Sequence, residues 1–409
     1  MQNYLLCLIL LLAFLVGCSG TTTLPVVPPN PPTPTPDSGA CAVTISDDIS
    51  VPTTFSKTGA ACDYLLQGFI EVTSTLTIEP GVVIQAAQDT TLWVEGGQIL
   101  AVGTPQQRIT LAGLNPIAGY WSGINFIEGR ESRFEYVDIR DAGQVCTIYG
   151  DCPDAALVLE DVTVSLANST VSNSYVNGLH ATEDVLFTKF ENNRFYNNIW
   201  AGVFISGNYV PLLDVASDYT GGAEPNGTPY VLVGSGRQSE GKEFRWKKLN
   251  APYLIRDEFS FGAYGGTLII DPGVEIVFGE GSGLTVDGNA VLKAIGTAAA
   301  PIIFRGLVEQ PGHWDGLTIW DSPWESNELS YVQIRHSGST DGVDPYGAVV
   351  LRYDSRVNIN NSVISDNAQY GVTCDGNSTV GIPVLVLGPG NTFSSNSSGD
   401  VSPNCETSP

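Results

Sequence analysis

Leu76-Thr77-Ile78-Glu79-Pro80-Gly81-Val82-Val83-Ile84 recurs as Leu268-Ile269-Ile270-Asp271-Pro272-Gly273-Val274-Glu275-Ile276, at an offset of 192. The match continues on either side of this stretch. Gly103-Thr104 returns as Gly296-Thr297, Gly119-Tyr120-Trp121-Ser122-Gly123-Ile124 as Gly312-His313-Trp314-Asp315-Gly316-Leu317, and Tyr136-Val137-Asp138-Ile139-Arg140 as Tyr331-Val332-Gln333-Ile334-Arg335. The offset drifts by a few residues, as loop insertions require. The duplication spans roughly Tyr64–Ile205 and Tyr253–Val401, and the least repeat-like stretch, Asp214 to Lys248, separates the copies. Within each copy, short runs such as Leu92-Trp93-Val94, Ile109-Thr110-Leu111 and Val137-Asp138-Ile139 alternate with period 2 between Gly, Asn, Asp and Ser. That is the pattern of short strands, and no stretch of the body has a 3.6-residue period. Pro-Gly after an acidic residue suits a tight turn, because Pro fixes φ and Gly accepts φ > 0.

Short strands at such close spacing fit a solenoid better than a sandwich, because stacked coils bury one continuous apolar column. Asn168, Asn173, Asn192, Asn193, Asn197, Asn198, Asn358, Asn360, Asn361, Asn367, Asn391 and Asn396 suit repeated turns. Asn tolerates left-handed backbone, and stacked amides bond to one another. The motif L-x-I-x-P-G-V-x-I, then G-T, G-x-W-x-G-I/L and Y-V-x-I-R resembles the repeat of bacterial right-handed parallel β-helix proteins. The resemblance implies an all-β solenoid built from two tandem copies of a multi-coil unit. It implies little about activity, since this fold hosts pectin-degrading enzymes, phage tailspikes and surface adhesins alike.

The N-terminus carries an apolar run from Leu5 to Val16, too short for a comfortable bilayer span and suited to a signal peptide. Leu15-Val16-Gly17-Cys18 resembles the lipobox of bacterial lipoproteins, although the segment before the apolar run has no Lys or Arg. The resemblance implies a lipid on Cys18 as the mature N-terminus. Ser19 after it resembles outer-membrane lipoproteins. Thr21 to Asp37 is rich in Thr and Pro and reads as an extended stalk. The expected order is a signal peptide (1–17), a linker (18–39), an N-terminal cap (40–62), unit 1 (63–210), a connection (211–251), unit 2 (252–401) and a tail (402–409).

With 43 acidic against 18 basic residues, the chain carries a net charge of -25. That argues against nucleic acid and anionic lipid surfaces as partners. Oligomeric state is not legible. Beyond Cys7 and Cys18, six cysteines remain: Cys41, Cys62, Cys146, Cys152, Cys374 and Cys405. An even number in an exported chain suggests disulfides, with 15 pairings open. Proximity favours Cys41–Cys62, Cys146–Cys152 and Cys374–Cys405, and the first and last pairs would cap the open ends of a solenoid. Irregular spacing speaks against zinc.

The clustered Asp, Gly-His-Gly and Arg-Ile-Lys elements of pectin-type hydrolases are absent from the sequence. His313 and His336 replace Tyr120 and Asp141 of the first copy and read as surface-turn substitutions. The stretch from His313 to Glu325 is the most suggestive, because the second copy gains Trp320, Asp321 and Trp324 there. Trp314, Trp320, Asp321, Trp324 and Glu325 are the candidate glycan-binding set. Aromatic faces pack on sugar rings, and carboxylates accept hydroxyl hydrogen bonds. Asp341 and Asp344 are weak calcium candidates, since calcium takes six to eight oxygens. No other cofactor is expected. The reading favoured is a non-enzymatic, lipid-anchored surface protein presenting loops for glycan or cell-surface contact. The alternatives are a polysaccharide lyase or glycoside hydrolase acting in a groove, and a structural envelope component without a ligand.

Overall fold

The strands of the body pair in parallel throughout, and each, apart from the end strands of each sheet, pairs with the strand one coil before and one coil after it. The computed structural model describes residues 41–143, 155–181, 184–235, 237–238, 243–262, 265–324, 326–339, 346–375 and 381–408. Pairing across coils rather than around a ring makes this a parallel β-helix, as the repeat implied. One face, face I, holds seven strands from Val43–Ile45 to Arg194–Tyr196. Face II begins at Phe69–Val72 and runs through both copies to Thr392–Ser394. A third face is built in the first copy by strands such as Gln98–Val102 and Val162–Ala167. The long strand Gly123–Glu135 turns a corner and belongs to faces II and III at once. In the second half, two further seven-stranded sheets run from Arg237–Gln238 to Gly399–Val401 and from Glu243–Trp246 to Glu406–Ser408.

Alternation along each strand places every second side chain inside. Ile70, Leu92, Ile124, Leu157, Leu179 and Val203 form one inward column on face II, all inaccessible to solvent. Phe259, Leu284, Leu317, Val349 and Val372 form the matching column in the second copy. Each such side chain contributes about 1.5–3 kcal/mol through burial. Gly81 and Gly273 take φ of 78° and 79° in the Pro-Gly turns, as expected. In the Gly-Thr motif, a Cβ on Gly103 would sit 2.8 Å from the Tyr136 carbonyl oxygen, and on Gly296 2.7 Å from that of Tyr331. Close approach of successive coils therefore dictates this second motif.

The asparagines divide into two roles. Asn168, Asn173, Asn192, Asn197 and Asn361 take left-handed backbone at corners. The next residue in each corner is polar and buried, and Ser169, Asn193, Asn198 and Ser362 bond to the neighbouring coil through their side chains. Asn198 Nδ2 donates to Asn226 Oδ1 at 2.9 Å, and Asn367 Nδ2 to Asn396 Oδ1 at 2.8 Å. His336 occupies the left-handed position that Asp141 holds in the first copy.

The two copies are not stacked face on face. Val83–Ala86, from the first Pro-Gly motif, lies in face I, whereas its counterpart Glu275–Phe278 lies in face II. The second copy is therefore advanced by one face. The connection holds a 3-10 helix, Gly207–Leu212, and keeps face II continuous, since Val203–Ser206 pairs directly with Val231–Gly234. Outside this part of face II, Leu232, Leu254 and Val277 make a second small core with Ala201, partly covered by Phe204 and Tyr230.

The disulfides Cys41–Cys62 and Cys374–Cys405 form, at the first and last coils. Cys146 and Cys152 lie outside the described residues, as do Cys18, Glu325, Asp341 and Asp344. No helix among the described residues is long and apolar enough to cross a membrane.

Candidate functional site

Outward side chains of the sheet running from Arg237–Gln238 to Gly399–Val401 line a cleft of about 490 Å³. Strand register explains its composition. Ser260 pairs with Thr285, Thr285 with Thr318, and Thr318 with Val350, giving a row of short side chains across four coils. Two residues further along, Asp287 pairs with Trp320, and Trp320 with Arg352. Trp320 is half-buried, with the Arg352 guanidinium 5.2 Å from its ring centre and the Tyr353 ring at 5.3 Å. Tyr346 and Ser339 also line the cleft.

The Glu258 carboxylate and the Asp315 Cβ both lie close to Gly283 at the other edge. Glu258 Oε2 lies 2.8 Å, and Asp315 Cβ 3.4 Å, from the point that a Cβ on Gly283 would occupy. A side chain at Gly283 would displace the Glu258 carboxylate from this place. Thr285 Oγ1 donates to Glu258 Oε1 at 2.6 Å. Loss of water around Glu258 pushes its carboxyl above the usual carboxylate range, against the smaller opposing effect of the Thr285 hydrogen bond. Among the described residues, the site thus combines an aromatic face, hydroxyls, three carboxylates and one guanidinium on a rigid sheet. Such a surface can hold sugar rings by stacking and by hydrogen bonds to their hydroxyls.

The sequence-derived set is brought together only in part. Trp320 lines the cleft. Trp314 does not, and it is corrected as a ligand contact: it is inaccessible to solvent, stacks on Phe278 at 4.0 Å, and its indole N–H donates to the Arg335 carbonyl oxygen at 2.7 Å. Trp121 makes the same bond to the Arg140 carbonyl oxygen in the first copy, so the G-x-W-x-G motif is a core corner. Asp321 sits exposed at the corner after the strand, with φ 51°, and is not part of the cleft lining. Trp324 is exposed on the following loop, its indole N–H bonded to the Asn289 carbonyl oxygen at 3.0 Å. Among the described residues, no group of His, Cys, Asp and Glu is arranged to hold a metal ion.

Sequence reasoning missed Glu258, Asp287, Tyr346 and Arg352 as members of one site. Their signal lies in strand register, and the unequal coil lengths between partners hide it from a fixed-period scan. The first copy is built differently at the same place. Thr91–Glu95 is the counterpart of Gly283–Asp287, and Trp93 stands where Thr285 does. Its indole N–H donates to Glu95 Oε2 at 3.2 Å, and its ring lies 5.8 Å from that of Phe69. A large side chain thus fills the position that a threonine leaves open in the second copy.

The chain matches no family model, and no curated protein matches it either. Among solved structures, the chain is similar to the Azotobacter vinelandii mannuronan C-5 epimerase AlgE4 A-module, at 12% identity and a TM-score of 0.25, over 88% of this chain and 91% of that one. It is also similar to the periplasmic alginate epimerase AlgG, at 12% identity and a TM-score of 0.21, over 84% of this chain and 76% of that one. At such scores neither likeness bears on site or chemistry, and the fold assignment rests on the strand pairing itself.

Proposed function

We propose that this protein is an exported, lipid-anchored surface protein whose β-helix body binds glycan in the cleft beside Trp320. The observation that carries the reading is the half-buried Trp320 ring set among hydroxyls and carboxylates on one outward sheet face. Stacking of a sugar on such a ring contributes about 1–2 kcal/mol, near tenfold in affinity. The test is a panel of soluble polysaccharides, scored for binding by the wild type and by Trp320→Ala. The expected result is binding of at least one glycan, weakened about tenfold by Trp320→Ala. Equal affinity in the variant, or no binding across the panel, overturns the reading.

A second reading, glycosidic hydrolysis, is favoured by one observation: Glu258 and Asp315 both flank Gly283. Hydrolysis of this kind uses one carboxyl to donate a proton to the leaving oxygen while its neighbour acts as nucleophile or base. Release of reducing ends from a bound glycan, lost in Glu258→Gln, would replace the binding reading with this one.

The two end disulfides accord with an oxidising compartment. The anchor rests on the Cys18 motif alone. Wild-type protein should partition into detergent and Cys18→Ala into the aqueous phase; partition of both into detergent would remove the anchor.

A further inference from the structure

We propose that the glycan held in this cleft carries protonated amino groups, in the manner of a glucosamine polymer, and that polyuronates are rejected. The inference rests on the glycan-binding reading above and names the ligand's charge. Among the described residues, three carboxylates line the cleft, Glu258, Asp287 and Asp315, against one guanidinium, Arg352. The cation is the most enclosed of the four: Arg352 is 5% exposed and lies beside the Trp320 ring. Glu258 and Asp287 form no ion pair among the described residues. Among the described residues, no cation of their own balances their charge.

The placement of the acids suits an extended ligand. Thr285, which holds the Glu258 carboxylate, and Asp287 are two residues apart on one strand, a separation of about 6.6–6.8 Å. A chain of sugars lying along the strand meets the Glu258 and Asp315 carboxylates at one end and Asp287 at the other, with Trp320 opposite Asp287 in the register. A uronate polymer would place its own carboxylates into this field. An amino sugar would place ammonium groups there, where charge-assisted hydrogen bonds are the stronger kind. The chain's net charge of -25 acts in the same direction at long range. Trp320 supplies sugar stacking, and the acid excess selects among sugars.

The experiment is calorimetric titration of the purified protein with three hexasaccharides at low ionic strength: glucosamine, its N-acetylated form, and galacturonate. The pH is set where the amines are protonated. The glucosamine oligomer is expected to bind about tenfold tighter than the acetylated one, and galacturonate more weakly than both. In Glu258→Gln/Asp287→Asn the preference for the glucosamine oligomer over the acetylated one should fall to about twofold, whatever affinity both oligomers lose in common, with circular dichroism and melting temperature unchanged. Galacturonate binding as tightly as glucosamine, or a preference that survives in the double variant, overturns the inference. Binding of neutral glycans with no gain from amino groups overturns this inference alone. Failure to bind any glycan overturns the reading beneath it as well.

Discussion

At the residue scale, the corners of the coils carry the stability that the short strands cannot. Asn367 is inaccessible to solvent; its Oδ1 accepts from the Ser337 amide at 3.0 Å and from the Ser337 hydroxyl at 2.7 Å, and its Nδ2 donates to Asn396. Asn367→Ala strands three polar groups, two of them on Ser337, and should cost about 2–4 kcal/mol in urea unfolding. An unchanged midpoint would mean that the amide ladder is decorative. His180 makes a second residue-scale prediction. It points outward on face II, packs against the Phe204 ring at 4.3 Å, and burial pushes its pKa down to about 4. The folded state disfavours the imidazolium, so the unfolded chain takes up the proton first as pH falls. The contribution of neutral His180 is complete above pH 6.5 and is lost as pH drops from there towards 4. Urea midpoints of wild type should fall faster across that window than those of His180→Phe. Burial raises the carboxyl of Asp141, and partial loss of water raises that of Glu258; both act with the opposite sign, so the difference between wild type and variant isolates His180. Parallel curves would show that the ring is hydrated.

At the element scale, the end coils are the exposed liability of a solenoid, because an unpaired parallel edge invites association. Cys374 closes the strand Tyr370–Cys374 onto Cys405, just before the last strand Glu406–Ser408. The loop closed is 31 residues long, for which chain entropy gives about 3–4 kcal/mol. Cys374→Ala/Cys405→Ala should lower stability by about 2–4 kcal/mol and open the last coil to proteolysis before the rest of the body. Simultaneous cleavage everywhere would show that the bridge does not guard this end. Much at this scale was legible beforehand. The Pro-Gly turns, the end disulfides and the left-handed asparagines each follow from local chemistry that one residue type satisfies. Trp314 was misjudged because a tryptophan beside an aspartate looks the same in sequence whether it faces solvent or caps a corner. Its equivalence with Trp121 was the better guide.

At the scale of the folded body, the duplication was legible and its phase was not. Motifs repeat in the chain, but the face on which the second copy begins depends on how many turns the irregular connection completes, and no local pattern encodes that count. The one-face advance puts the open cleft of the second copy and the Trp93 surface of the first on different faces. The cleft itself was invisible for a related reason. Ser260, Thr285, Thr318 and Val350 are neighbours only after four coils of unequal length have been laid in register. The central claim is that glycan lies across these residues against Trp320. Its most direct test is a crystal structure of the protein grown with the tightest-binding oligosaccharide. The account predicts sugar rings stacked on Trp320 and hydrogen-bonded to Glu258, Asp287 or Asp315. Sugar bound elsewhere, with the Trp320 cleft empty, would contradict it.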